Sequence, residues 1–352
     1  MGGAGEGNQG ALLSGGRRRI FSGIQPTGRK HLGNYIGAIR QYVTGQERAD
    51  SIYCIVDLHA ITVQHDPAEL RARLYDTAAL LLAAGLDPSR CILFRQSDLS
   101  EHSELCWLLT SVTAWGDLNR MHQWKQKRAL LEDRRGGFVS AGLFNYPVLQ
   151  AADVLAYRID EVPVGDDQRQ HIELIRETAR RFNERFGDTF KIPELVVPEV
   201  GARIMDLQSP LSKMATTGGT ELGTVYLTDQ PDLIAKKFRS AVTDSEREVV
   251  KGPGKEGIGN LIEILAVVRE TSVAEVESEF SGIGYGDFKA AVGGAVVAWL
   301  APVQERYGEL RADESALEAV LADGAERARA EAAPVLAEVR GKLGLGPPAT
   351  RP

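Results

Sequence analysis

Cysteine is scarce in this chain of 352 residues: Cys54, Cys91 and Cys106 are the full set, and no two form a C-x-x-C pair. That excludes a disulfide framework and the common zinc-binding spacings. The three thiols read as small core residues of a protein that lives in a reducing cytosol. Long hydrophobic runs are also missing, since none approaches the roughly 18 residues of a membrane span. The opening residues 1–17 are Gly-rich and lack the basic start and apolar core of a secretory signal; a disordered leader is expected there. Positive charge is in deficit, 41 Lys and Arg against 48 Asp and Glu. That excludes a dedicated DNA-binding module, which would be basic. A local basic surface meeting one RNA remains compatible with it. No internal repeat occurs.

What is present is ordinary globular composition, 43% hydrophobic and 25% charged. A chain this long divides best into two domains. Strand-like runs at 19–23, 51–56, 91–94 and 162–164 alternate with helical patterns. Those patterns fall at 32–43, 67–84, 101–111, 118–131, 146–157 and 167–186. Asp66 is an N-cap candidate, followed by Pro67 at the first helical position. Such alternation predicts an α/β fold with a Rossmann-like parallel sheet. Ligands in such folds bind beyond the carboxyl ends of the strands. Those ends carry the polar turns 23–28, 57–59 and 165–168.

Strand signals fade after about residue 230. Helical patterns follow at 231–242, 258–269, 272–280, 285–307 and 313–343, with Gly324 and Pro334 expected to interrupt or kink the last. The expected division is a leader at 1–17, a catalytic domain at 18–228 with a mobile loop at 209–220, an α-helical C-terminal domain at 229–345, and a frayed tail at 346–352.

The first turn carries chemistry. Gly23 and Gly28 let backbone approach a ligand closely, and a helix opening near Gly33 presents free N–H groups to phosphate. His31 and Asn34 add donors one turn apart. The spacing matches neither the dinucleotide fingerprint nor the P-loop, so from spacing alone a nucleotide site and a plain Gly-rich loop both remain open.

The run Phe21-Ser22-Gly23-Ile24-Gln25-Pro26-Thr27-Gly28, followed by His31-Leu32-Gly33-Asn34-Tyr35-Ile36-Gly37-Ala38, resembles the opening of bacterial-type tryptophanyl-tRNA synthetases. These are class I aminoacyl-tRNA synthetases. His31 to Asn34 corresponds to the first class I signature, with Asn in place of its final His. Further blocks agree: Val56-Asp57-Leu58-His59-Ala60, Tyr146-Pro147-Val148-Leu149-Gln150-Ala151-Ala152-Asp153, and Val162-Pro163-Val164-Gly165-Asp166-Asp167-Gln168. The similarity extends over about 19–343.

The resemblance implies roles. Asp153 would accept a hydrogen bond from the indole N–H. Burying that donor unpaired would cost on the order of 1–3 kcal/mol. Phe21, Gly23, Val56, His59, Gln150, Val162 and Val164 would wall the indole pocket, and Tyr146 and Gln168 would hold the amino group. Gln25, Pro26, Thr27, Gly33, Asn34, Gly165, Asp166, Asp167 and Ile204 would contact ATP, and Lys127 would reach the leaving pyrophosphate. His31, Asn34, Lys127 and Lys213 would be the catalytic set. ATP would bring Mg²⁺ with it, and no metal site built by the protein is expected. The expected partners are L-tryptophan, ATP and tRNA(Trp), in a cytoplasmic homodimer whose helical domain reads the anticodon. Arg327, Arg329, Arg340 and Lys342 are candidate phosphate contacts, although a solvated helix face is the plainer reading of each.

One stretch departs from the family. The second class I signature is Lys-Met-Ser-Lys-Ser, and here it is Lys213-Met214-Ala215-Thr216-Thr217. Leaving pyrophosphate then meets one cation fewer, a contact worth several kcal/mol in a closed site. Leu58 and Gln150 are also unusual for the pocket. Together they suggest a divergent auxiliary copy that tolerates a tryptophan-mimicking inhibitor. The alternatives are a tyrosine-specific relative, which the blocks at Asp153 and 165–171 disfavour, and a catalytically weak tryptophan-binding paralogue with an interaction role.

Overall fold

In the computed structural model, the residues described are 16–132, 138–165, 168–196, 203–215 and 219–346. The expected leader up to residue 15, Asp166, Asp167, Thr216, Thr217 and the tail from 347 lie outside them. Five strands form one parallel sheet, β1 (Arg19–Ile24), β2 (Asp50–Ile55), β3 (Cys91–Arg95), β4 (Glu161–Pro163) and β5 (Glu194–Val196), in the order β3-β2-β1-β4-β5. The chain reverses direction across the sheet between β1 and β4, and that switch point opens the crevice in which such folds bind ligands. β2 is buried at every position, as expected for a strand covered on both faces. β5 is an edge strand of three residues that the alternation pattern did not reveal.

Fourteen helices are described. Helix α1 (Leu32–Asn34) leads through a π turn (Tyr35–Ile39) into α2 (Arg40–Arg48). Then come α3 (Asp57–Ala60), α4 (Pro67–Ala83), α5 (Ser100–Thr110), α6 (Trp115–Arg120), α7 (His122–Glu132), α8 (Ala141–Leu155) and α9 (Arg169–Phe186). The C-terminal region holds α10 (Pro231–Arg239), α11 (Glu256–Arg269), α12 (Val273–Glu279), α13 (Tyr285–Arg311) and α14 (Glu314–Lys342). Asp66 caps α4 by accepting the Glu69 N–H at 2.8 Å, with Pro67 behind it. The single helix expected at 118–131 is two, because Met121 between α6 and α7 is extended.

Two cores sit on either side of the sheet. One joins Ile20, Tyr53 and Leu93 to the α4 face and to α10–α13, through Phe238, Leu261, Phe288 and Val296. The other joins Phe21, Cys54 and Phe94 to α5, α8 and α9. Helix α14 takes part in both: Leu317 and Leu321 belong to the first, and Ala328, Val335 and Val339 to the second. It runs unbroken through Gly324 and Pro334, so neither residue interrupts it. Gly324 instead permits close approach, since a Cβ there would lie 1.8 Å from the Leu93 carbonyl oxygen on β3.

Candidate active site

The site forms where β1, β2, β3 and β4 end. After β1, the turn 25–28 leaves Gln25 and Thr27 exposed and Pro26 buried, with Gly28 at φ 61°. The buried Lys30 ammonium donates to the Gln25 carbonyl at 2.6 Å and so braces this turn from below. Burial, with Arg73 nearby, pushes the Lys30 ammonium down to about 8.

His31 then caps α1. Its Nδ1 accepts the Asn34 N–H at 3.3 Å, while Asn34 Oδ1 accepts the His31 N–H at 3.1 Å. Nδ1 is therefore an acceptor, and the proton of the neutral ring sits on Nε2. Burial, with Lys30 alongside, pushes the His31 imidazole down to about 4. His31 is thus a neutral hydrogen-bond donor rather than a cation. Backbone bonds tie this segment to 225–227: Leu32 N–H reaches the Val225 carbonyl at 2.8 Å, and Leu227 N–H reaches the Lys30 carbonyl at 2.9 Å.

Helix α8 carries three of the expected pocket residues. Tyr146, Gln150 and Asp153 follow at spacings of four and three, which place them on one helix face. Asp153 is buried, and three donors hold it. His59 Nε2 lies 2.8 Å from its Oδ2. Gln96 Nε2 and His102 Nδ1 each lie 2.6 Å from its Oδ1. Burial would raise this carboxyl, but the hydrogen bonds from His102 and His59 outweigh it and hold Asp153 down to about 2. Its charge therefore persists across the working pH range.

The residues expected to wall the pocket lie at the carboxyl ends of β1 and β4. Phe21 on β1 stacks on Tyr157 with centroids 5.8 Å apart. Gly23 is exposed at the end of β1, and a Cβ there would lie 2.9 Å from Val56 Cγ1. Val162 is buried and Val164 half-buried at the end of β4, beside exposed Gly165. The Tyr146 hydroxyl lies 2.8 Å from His171 Nε2 and 3.3 Å from Gln123 Oε1, and burial pushes it up to about 12. It stays protonated, and its oxygen can accept from an ammonium. Gln168 precedes α9.

The segment 203–215 closes the far side. Ile204 is buried, and its carbonyl accepts the Met214 N–H at 3.1 Å. A Cβ on Gly33 would lie 3.7 Å from Ile204 Cβ, so the signature helix and this segment approach closely. Lys213 is exposed and bridges Met205 through backbone. Thr224 Oγ1 donates to the Ala215 carbonyl at 3.3 Å. Among the described residues Lys213 makes no hydrogen bond to His31 or Asn34, so the structure does not bring these catalytic candidates into contact. Lys127 lies on α7, and its side chain is outside the described atoms.

Sequence reading missed Gln96, His102 and Tyr157. Gln96 was within reach, because it directly follows β3, whose carboxyl end belongs to the same crevice as those of β1, β2 and β4. The candidate phosphate contacts of α14 are engaged inside the molecule. Arg327 donates to the Pro88 carbonyl at 2.6 Å and Arg329 to the Asp98 carbonyl at 2.5 Å. Arg340 pairs with Glu104 at 3.3 Å, and Lys342 donates to Thr189 Oγ1 at 2.7 Å. Arg327, Arg329 and Lys342 are half-buried and hold the loops flanking β3 and the loop after α9, whereas Arg340 stays exposed beside Glu104 on α5. The three cysteines are free thiols, and burial raises each of them.

Residues 14–301 match the model of the class I tRNA synthetases (W and Y), and the chain belongs to that family. Its curated relatives point to the tryptophan branch. The chain is 47% identical to the tryptophan–tRNA ligase of Wolinella succinogenes, over 94% of this chain and 99% of that one. It is 49% identical to tryptophan–tRNA ligase 1 of Streptomyces coelicolor, over 94% and 98%. Among solved structures, the Campylobacter jejuni tryptophanyl-tRNA synthetase complexed with ADP and tryptophan superimposes with a TM-score of 0.81, at 34% identity, over 93% of this chain and 100% of that one.

Proposed function

We propose that this chain activates L-tryptophan with ATP and transfers it to tRNA(Trp). The observation that carries the reading is Asp153, a buried and ionised acceptor held by His59, Gln96 and His102. The relatives named as tryptophan–tRNA ligases, aligned over nearly their whole length, support it.

The tryptophan carboxylate attacks the α-phosphorus of ATP, forming the adenylate and releasing pyrophosphate. No general base is needed, because that carboxylate is already ionised at neutral pH. Catalysis is positioning and charge stabilisation. The turn 25–28 and Gly33 carry the nucleotide, with Gly165, Asp166, Asp167 and Ile204 beside it. The Nε2–H of His31 donates to phosphate, and Asn34, Lys127 and Lys213 share that work. Met214, Ala215, Thr216 and Thr217 complete the closing loop. Tyr146 and Gln168 hold the ammonium of the substrate. Mg²⁺ would neutralise phosphate charge when it enters with ATP; a magnesium ion keeps most of its ligands from phosphate and water, so no protein carboxylate cage is required. A ribose hydroxyl of the tRNA 3′ adenosine then attacks the adenylate carbonyl, taking the aminoacyl group and releasing AMP.

The exposed Trp107 and Trp115, on α5 and α6, lie beside half-buried Cys106 and Phe144 and would be covered in a homodimer. No described helix is long and apolar enough to cross a membrane, and the proposed site of action is the cytoplasm. Tryptophan-dependent ATP–pyrophosphate exchange, with tyrosine in parallel, tests the activity. Exchange with tryptophan alone is expected. A folded protein that binds tryptophan and exchanges with neither would refute the reading in favour of the non-charging paralogue.

A further inference from the structure

We infer that Gln96 and His102, the latter held by Tyr157, are positioning residues that fill Asp153 Oδ1 and leave one acceptor position, on Oδ2, for a single donor from the substrate. The inference rests on the assignment of Asp153 to the substrate pocket and deepens it.

The count comes from valence and geometry. A carboxylate offers about four lone-pair positions. Gln96 and His102 occupy the two on Oδ1, each at 2.6 Å, and His59 occupies one on Oδ2, at 2.8 Å. The two donors on Oδ1 are each fixed in their role by a second bond. Gln96 Oε1 accepts the Leu58 N–H at 3.1 Å, so the amide nitrogen must face Asp153. His102 Nε2 lies 2.6 Å from the Tyr157 hydroxyl. Burial raises that hydroxyl well above its ordinary range, so it holds its proton and donates it to Nε2. The His102 proton then sits on Nδ1, pointing at Asp153. Gln96 and His102 are fully buried and Tyr157 nearly so.

Tyr157 is thus the last link of a chain running Tyr157 to His102 to Asp153. Without its O–H, His102 can carry its proton on either nitrogen, Oδ1 loses a committed donor, and the carboxylate is free to turn. The open position on Oδ2 then no longer faces the substrate. The expected consequence is a loss of discrimination for the N–H, separate from any loss of fold.

Calorimetric titration tests this directly, with L-tryptophan and its benzothienyl analogue, in which sulfur replaces the N–H. Tyr157→Phe keeps the ring and its stack on Phe21. It should reduce the preference for tryptophan over the analogue by about tenfold, the scale of one charge-assisted hydrogen bond. ATP affinity should stay within about twofold of wild type. His102→Leu should abolish the preference, whereas His102→Asn, which retains a donor near the Nδ1 position, should recover part of it. Unchanged preference in both Tyr157→Phe and His102→Leu, in proteins with wild-type circular dichroism, overturns the inference. Because binding is the readout, the outcome stands even if pyrophosphate exchange fails, and failed exchange counts against the proposed activity alone.

Discussion

Replacing Gly324 with alanine should destabilise the protein, although helix propensity predicts the opposite. Gly324 lies inside α14, where alanine is favoured by about 0.8–1.0 kcal/mol. The new Cβ, however, would lie 1.8 Å from the Leu93 oxygen and 2.7 Å from its carbonyl carbon. Carbon approaches a carbonyl oxygen to about 3.3 Å, so helix and strand must part by roughly 1.5 Å along that line. A gap of that size forfeits more than half of the dispersion contacts across the opened seam. Overpacking of this kind costs about 3 kcal/mol, leaving a net loss of about 2 kcal/mol after the propensity gain. For a chain of this length that is a fall in Tm of about 3 °C. Gly294 on α13 is the control, since it is exposed and nothing lies within 4 Å of its added Cβ. Calorimetry at one scan rate should show Gly294→Ala rising slightly while Gly324→Ala falls. If both rise together, close approach to β3 is not why position 324 is glycine. The same strain should reach the site: β3 ends one residue before Gln96, and Arg329 holds the Asp98 carbonyl from α14. A higher KM for tryptophan with ATP unaffected should therefore accompany the lower Tm.

Asp153→Asn should lower kcat/KM for tryptophan by about 10- to 100-fold, the scale of one charge-assisted hydrogen bond, with KM for ATP little changed; a loss shared equally by both substrates would argue against a direct indole contact. In the free protein the His31 imidazole should titrate near 4 by NMR rather than near its ordinary value. Unfolded chain then binds more protons between about 6.5 and 4, so stability falls as pH drops through that window, by up to about 3 kcal/mol, and does not change on this account above it. A midpoint near 6.5 would show that burial and Lys30 do not act on His31 as argued. Thr216→Lys restores the missing loop cation and should raise kcat for pyrophosphate exchange roughly tenfold or more; no change would mean that other groups already neutralise the leaving phosphates. Gln150→Met should increase sensitivity to an indole-mimicking inhibitor, and equal inhibition of variant and wild type would remove the basis for an inhibitor-tolerant copy.

Most of the fold was legible because periodicity is strong where burial is strong. β1, β2 and β3 are apolar runs between turn residues, and α4 announces itself through Asp66 and Pro67. β5 escaped because a three-residue edge strand has too few positions to show a period. Gly324 misled because a glycine in a helical pattern reads as a break, while here it answers a contact with β3 that no local pattern contains. The arginines of α14 read as surface for the same reason: their partners at Pro88 and Asp98 are far away in sequence. In the site, His31 and Asn34 were legible from spacing as paired donors at a Gly-rich turn, while their roles and that of Asp153 were legible only through family resemblance. Their states were not, since the neutrality of His31 depends on Lys30 and on burial.

The buried polar cluster explains why an aspartate, rather than a neutral acceptor, stands at position 153. An asparagine there would offer one oxygen with two lone pairs, and would turn two N–H donors toward His59, Gln96 or His102. Three donors already converge on the site, and only a carboxylate can accept them all and still take a fourth. Each of these donors is held by a further contact or by its place on the fold: Gln96 by the Leu58 N–H, His102 by Tyr157, His59 by its seat on α3 beyond β2. The charge on Asp153 survives burial because those donors compensate it. A ligand that brings exactly one donor completes the count, and one that brings none leaves an acceptor buried and unpaired, at a cost of about 1–3 kcal/mol. If Asp153 meets the substrate as proposed, selectivity for an N–H is a property of five side chains and the strand ends that carry them, not of Asp153 alone.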